Sequence, residues 1–196
     1  MQRKWIVNAS KQSKTAPWEV LTSEYLIRRP WLTVRRETLR LPDGRTVPEY
    51  YVLEYPDWVN VIAITEDGQV ILERQYRHGL GCAAWEIPSG VLEETDASPL
   101  AGAQRELMEE TGYGGGEWTL LDTLSGNPAS TNNRTHCFLA RGVRKLGESH
   151  LDQGECFEVK LFSLEDIPAM LLRGEFVQAL HVAPLWKYLY LCRCKQ

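Results

Sequence analysis

Residues Gly90 to Tyr113 read GVLEETDASPLAGAQRELMEETGY, and the rest of the chain is organised around them. The second half of the stretch is expected to be a helix. Ser98 suits its N-cap, and Pro99 the first helical position, where a missing N–H does no harm. Gly112 suits the left-handed residue just past the end. Leu100, Ala103 and Leu107 have the spacing of a buried helix face. Glu106, Glu109 and Glu110 stand on the other side, three and four apart. Like charges so close repel, and near a helix C-terminus the dipole disfavours anions. Taken alone, three glutamates read as a solvated acidic face. A cluster that breaks two local rules is also where a functional site is expected, and three hard oxygen ligands on one face suit Mg²⁺ or Mn²⁺.

The surrounding pattern changes the weighing. Gly90, a short loop and then Arg105-Glu106-Leu107-Met108-Glu109-Glu110-Thr111-Gly112-Tyr113 resemble the Nudix box, G-x5-E-x7-R-E-U-x-E-E-x-G-U, where U is bulky and apolar. The last nine positions match throughout. Fourteen residues separate Gly90 from Arg105 where the signature has thirteen. Its first Glu therefore falls on Asp96 or Ala97, depending on the end counted from. Asp96 is a shorter carboxylate and is assigned no catalytic part, and Glu93 and Glu94 read as solvated loop residues.

Size and composition set bounds. A chain of 196 residues, 43% apolar and 24% charged, is expected to be a single globular domain with a core of its own. A net charge of −4 argues against an unspecific polyanion binder, so no nucleic-acid partner is expected. No run of about 18 apolar residues marks a membrane span. Trp5-Ile6-Val7 after Arg3-Lys4 is too short for a signal-peptide core. The five cysteines are scattered and odd in number, which suits a reducing, cytoplasmic setting. His78, His136, His150 and His181 show no metal spacing and are expected to be structural or solvent-facing.

Strand signals flank the box. Residues 24–27, 32–41 and 47–54 read as N-terminal strands, with a hairpin turn at Pro42-Asp43-Gly44-Arg45. Residues 59–65 form a near-continuous apolar run and 70–76 a strand hairpin-linked to it. Trp118–Leu124, Arg134–Ala140 and Phe157–Phe162 read as further strands. Helices are expected from Ser163 or Leu164 to about Arg173 and from about Phe176 to Cys192, the latter interrupted or restarted near Pro184. Pattern alone supports only a mixed α/β domain. The resemblance implies a Nudix α/β/α sandwich with an N-terminal antiparallel β-hairpin region, residues 18–55 forming dimerising strands and 56–196 the catalytic core.

The resemblance extends from Trp31 to about Glu158 and, outside the box, is to the ADP-ribose pyrophosphatase branch. Arg74-Gln75-Tyr76-Arg77 and Trp85-Glu86-Ile87-Pro88-Ser89-Gly90 resemble the matching segments there, and Pro128 lies sixteen residues after Gly112, about where that branch carries a proline. It implies a Mg²⁺-dependent hydrolase cleaving a nucleoside diphosphate linked to a second moiety, ADP-ribose first. Glu106, Glu109, Glu110 and the Ser89 carbonyl would hold metal, and Arg105 would orient the glutamates. Glu155 would complete the site as ligand or base, with Glu158 as runner-up. Arg77 would clamp phosphate, and Glu86 would touch the ribose or a ligated water. Trp31 and Trp58, helped by Tyr25, would stack on the base in a homodimer. Nucleotide sugars such as GDP-mannose, a non-catalytic ligand sensor and a scaffold built on the N-terminal hairpin are the competing readings. The Pro- and Trp-rich motif of NADH-hydrolysing members is absent, and the retained helix glutamates favour an enzyme.

Overall fold

The structure is a computed structural model that describes residues 14–150 and 156–194. The chain divides into two compact units, residues 1–55 with 129–132, and residues 56–128 with 133–196.

The first unit is a three-stranded antiparallel sheet of β1 (Glu19–Arg29), β2 (Leu32–Arg40) and β3 (Thr46–Glu54). Leu53 N–H donates to Ser130 O, and Tyr50 donates its hydroxyl to Ala129 O. The sheet has little core of its own. Leu39 is its buried apolar side chain, while Val20, Tyr25, Leu26, Ile27 and Leu32 are 40–52% exposed. β1 is longer than the apolar pattern at 24–27 suggests, because its pairing with β2 runs from Glu19↔Arg40 to Arg29↔Leu32 whatever the side chains.

The second unit is an α/β/α sandwich. Its sheet holds β4 (Trp58–Thr65), β5 (Gln69–Arg77), β6 (Cys82–Glu86), β7 (Ser89–Val91), β8 (Tyr113–Gly114), β9 (Glu117–Leu124), β10 (Thr135–Lys145) and β11 (Phe157–Ser163). β4 lies parallel to β10 and reads as a buried strand from Val59 to Thr65. Helix α1 (Pro99–Thr111) covers one face, where Ala103 and Leu107 meet Val59, Val61, Ala63, Ile71, Phe138 and Ala140. Helices α2 (Ile167–Leu172) and α3 (Ala179–Arg193) cover the other, where Ile167, Met170, Leu185 and Tyr188 meet Ile62, Ile64, Val70 and Leu72.

The hairpin expected between β4 and β5 opens almost at once. The two strands pair only at Ile64↔Val70. Beyond that point β6 lines β5 and β7 lines β4, so these two short strands fill the split. Pro88, at their junction, donates no hydrogen bond and gives its carbonyl to Val61 N–H.

Helix α3 runs unbroken through Pro184, against the interruption expected there. A proline leaves the carbonyl four residues before it without its usual donor. That carbonyl belongs to Leu180, and Asn60 Nδ2 on β4 donates to it at 2.8 Å. Leu107 is fully buried between α1 and the sheet. Leu107→Ala is expected to cost about 2–5 kcal/mol, read as a fall in the urea midpoint with an unchanged slope.

Candidate active site

Local chemistry sets the ends of α1 as the sequence suggests. Ser98 Oγ accepts the Ala101 N–H at 3.2 Å, Pro99 is the first helical residue, and Gly112 ends the helix at φ 67°. A Cβ at Gly112 would lie 2.2 Å from Gly147 O, so close approach as well as conformation demands glycine. Burial differs from the expectation in two respects. Leu100 is exposed at the helix start. Glu106 and Glu110, expected on an exposed side, are buried at 9% and 6% exposure, and only Glu109 is open to solvent. Glu106 follows Ala103, and Glu110 follows Leu107, by three residues, so both share the helix face that meets the sheet and lie against β7 rather than in water.

The glutamates meet main chain. Ser89 N–H donates to Glu110 Oε2 at 2.9 Å. A Cβ on Gly90 would lie 2.2 Å from the Glu106 carboxylate, so any side chain there would displace it. The Ser89–Gly90 segment is thus flanked by two buried carboxylates. Among the described residues no three carboxylate, imidazole or thiol groups converge closely enough to hold an ion by themselves. Arg105 Nη1 donates to Glu106 Oε1 at 2.9 Å and to Glu109 Oε2 at 3.0 Å. An all-oxygen set of Glu106, Glu109, Glu110 and the Ser89 carbonyl fits Mg²⁺ or Mn²⁺, which keep water and phosphate oxygens in their shells.

Arg105 is itself held by Asp96. Nε donates to Oδ1 at 3.1 Å, Nη2 to Oδ2 at 2.9 Å, and Nη2 also to Val91 O at 3.0 Å. The carboxylate of the longer loop thus reaches the arginine of the box. Asp96 takes up the arginine fork, and its Oδ2 also accepts the Glu93 N–H. Gly102 makes room, since a Cβ there would lie 2.8 Å from Asp96 Oδ2. The Arg105 hydrogen bonds hold the Asp96 carboxyl below the usual carboxylate range, while Asp96, first among several carboxylates, raises Arg105.

A second arginine clamp stands at the strand split. Arg77 donates from Nε to Glu86 Oε1 at 2.8 Å and from Nη2 to Glu86 Oε2 at 2.5 Å. Glu86 is 3% exposed and the Arg77 side chain 41%. The hydrogen bonds to Glu86 raise Arg77 most, and the charges of Glu110 and Glu73 add to this, so the clamp shares the electrostatic field of the helix glutamates. Sequence reasoning missed Glu73 and His181. Glu73 is buried and pairs directly opposite Glu86, and its place on one strand face with Ile71 and Arg77 was the available signal. His181, expected to be structural or solvent-facing, is buried and lies 3.8 Å from Glu86.

The remaining candidates are dispersed. Glu158 pairs with Arg74, whose guanidinium lies over the Trp85 ring, and binds Lys160 at 2.6 Å. Opposed residues share a sheet face, so Glu158 faces away from Glu73 and Arg77. Glu155 lies outside the described residues. Trp58 alternates with Val59 and so points to the face away from α1. Pro128 is exposed in a turn. Trp31, 78% exposed at the β1–β2 turn, and Tyr25, with Arg28 over its ring at 3.6 Å, belong to the three-stranded sheet.

Comparison with known proteins adds the lineage. The NUDIX domain model matches residues 54–181. The chain belongs to the Nudix family. Residues 18–53 match the model described as a nucleoside diphosphate sugar hydrolase N-terminal domain. An ADP-ribose pyrophosphatase of Mycobacterium tuberculosis is 30% identical over 168 residues, covering 85% of this chain and 80% of the relative. One from Bacillus subtilis is 35% identical over 131 residues, covering 66% and 70%. A crystal structure of an ADP compounds hydrolase shares the fold at TM-score 0.80 and 23% identity, covering 92% of this chain and 96% of that one. The box glutamates of this Nudix hydrolase are thus held by a loop one residue longer than the signature.

The Asp96–Arg105 pair has a pH signature. A carboxylate whose folded pKa is lowered stabilises the fold above its unfolded value, near 4, and that contribution is lost as pH falls through the lower folded value. Asp96→Asn is expected to cost about 1–3 kcal/mol at pH 7, with the deficit closing below about pH 4. Urea midpoints of both proteins across pH 3–7 measure it.

Proposed function

We propose that this Nudix hydrolase cleaves a nucleoside diphosphate linked to a second moiety, with ADP-ribose as leading substrate and AMP and ribose 5-phosphate as products. The observation that carries the reading is the Ser89–Gly90 peptide set between the buried Glu106 and Glu110 carboxylates, with the Arg77–Glu86 clamp in the same electrostatic field. Glu106, Glu109, Glu110 and the Ser89 carbonyl would hold Mg²⁺ (or Mn²⁺), which neutralises charge on the diphosphate. Arg105 keeps Glu106 and Glu109 oriented, and Asp96 keeps Arg105. Arg77 has its Nε and Nη2 committed to Glu86 and presents the rest of the guanidinium to a phosphate. Water forms a new P–O bond to one phosphorus as the bond from that phosphorus to the bridging oxygen breaks, and the bridging oxygen leaves with the other phosphate. Glu155, on sequence grounds, takes the water proton.

The base-stacking parts stay with Trp31, Trp58 and Tyr25, and Pro128 with the substrate-facing loop. A nucleotide sugar such as GDP-mannose is the second reading, favoured by the match of residues 18–53 to a nucleoside diphosphate sugar hydrolase model.

The three-stranded sheet supports a homodimer. A sheet whose β1 edge pairs with no further strand among the described residues, and whose Val20, Leu26 and Ile27 are exposed, lacks the burial an independent sheet needs, and a second copy supplies it. A cytoplasmic location suits five unpaired cysteines. No helix among the described residues is long and apolar enough to cross a membrane.

Two measurements test this. Glu110→Gln is expected to keep the fold and lose about 100-fold or more in kcat, read as AMP release from ADP-ribose with Mg²⁺. Near-wild-type turnover by that variant would reject the site. Ile27→Asp is expected to shift a dimer toward monomer in sedimentation equilibrium; a wild type that is monomeric at micromolar concentration would remove the dimer.

A further inference from the structure

His181 lies in the first turn of α3, 2% exposed, and the chemistry above gives it no part. Its Nδ1 accepts the Ile87 N–H at 3.2 Å. A neutral imidazole that accepts at Nδ1 carries its proton on Nε2. Nε2 stands 3.8 Å from Glu86 Oε2, and both side chains are 3% exposed. That separation is too long for a hydrogen bond. In so dry a place an N–H dipole still favours one carboxylate orientation over another. Burial pushes the ring down to about 4, so it is neutral at pH 7.

The ring's place is over-determined. Asn60 Nδ2 holds Leu180 O, the carbonyl that Pro184 leaves without a helical donor, and so ties this turn of α3 to β4. Ile87 joins β6, which ends at Glu86, to β7, which begins at Ser89. One imidazole therefore stands against both the carboxylate of the arginine clamp and the connection leading to the metal-facing peptide. Glu86 meanwhile pairs opposite another buried carboxylate, Glu73, so its orientation needs support beyond Arg77 alone.

We propose that His181 is a positioning residue of the diphosphate clamp: its Nε2–H holds the Glu86 carboxylate in the orientation that presents Arg77 to phosphate. This rests on the reading of Arg77 as the phosphate-binding arginine. It does not depend on which nucleotide is cleaved.

The test titrates inorganic pyrophosphate with Mg²⁺ into the whole protein by calorimetry. His181→Asn keeps an acceptor near the Nδ1 position but is too short to reach Glu86, whereas His181→Gln places a donor near the Nε2 position. The Asn variant is expected to bind pyrophosphate about tenfold more weakly and the Gln variant within about threefold of wild type. In a Glu86→Gln background the Asn substitution is expected to change affinity by less than about twofold, because its partner is already gone. KM for turnover rises with the loss of affinity while kcat changes less. Wild-type affinity in His181→Asn overturns the proposal. So does a Gln variant no better than the Asn variant, or an Asn effect of equal size in the Glu86→Gln background, either of which marks fold support alone. If His181→Asn does not fold, the Gln variant decides, about threefold or less supporting the proposal and about tenfold or more rejecting it. Wild type that fails to bind pyrophosphate also rejects it. Failure to hydrolyse ADP-ribose, scored separately, rejects only the substrate.

Discussion

Glu106 and Glu110 sit against the Ser89–Gly90 peptide, and most of the second unit is arranged to allow that contact. Two carboxylates 9% and 6% exposed are costly unless hydrogen-bonded or paired with cations. The approach is possible only because Gly90 has no side chain to meet Glu106. It also requires the Ser89 N–H to face the helix, which happens because β4 and β5 part after a single pair and leave room for β7.

Charge compensation is layered rather than direct. Arg105 reaches Glu106, Glu109, Asp96 and the Val91 carbonyl together, which uses the full fork of a guanidinium and would be beyond a lysine. Asp96 holds the cation that does part of the neutralising. Arg77 and Glu86 repeat the arrangement on the strand side, again with a bidentate pair and one member buried. The two differ in what is left over: Arg105 has its whole fork committed, whereas Arg77 is partly exposed, backed by the buried Glu86, and keeps donors free for an anion.

The small sheet obeys a different constraint. Its cross-strand contacts include exposed charged pairs, as in Arg36 with Glu24 and Arg40 with Glu19. Exposed pairs of this kind contribute little. Leu39 is its buried apolar side chain among the described residues, so apolar burial within the sheet contributes little as well.

The sequence by itself determined α1 to the residue, because Ser98, Pro99 and Gly112 act through local backbone chemistry that needs no distant partner. It also determined the run of β4 and the lineage, both written in short-range pattern. What lay beyond it was decided by contacts across the chain. The burial of Glu106 and Glu110 depends on which helix face meets the sheet, and the strands at 82–91 exist because β4 and β5 separate. The continuity of α3 through Pro184 depends on an asparagine 120 residues away. The role of Asp96 was ambiguous on counting alone, since the longer loop lets the signature position fall on Asp96 or Ala97, and only the three-dimensional contact with Arg105 distinguishes them. His181 carried no sequence signal at all, because nothing near it in the chain records that Ile87 and Glu86 are its neighbours.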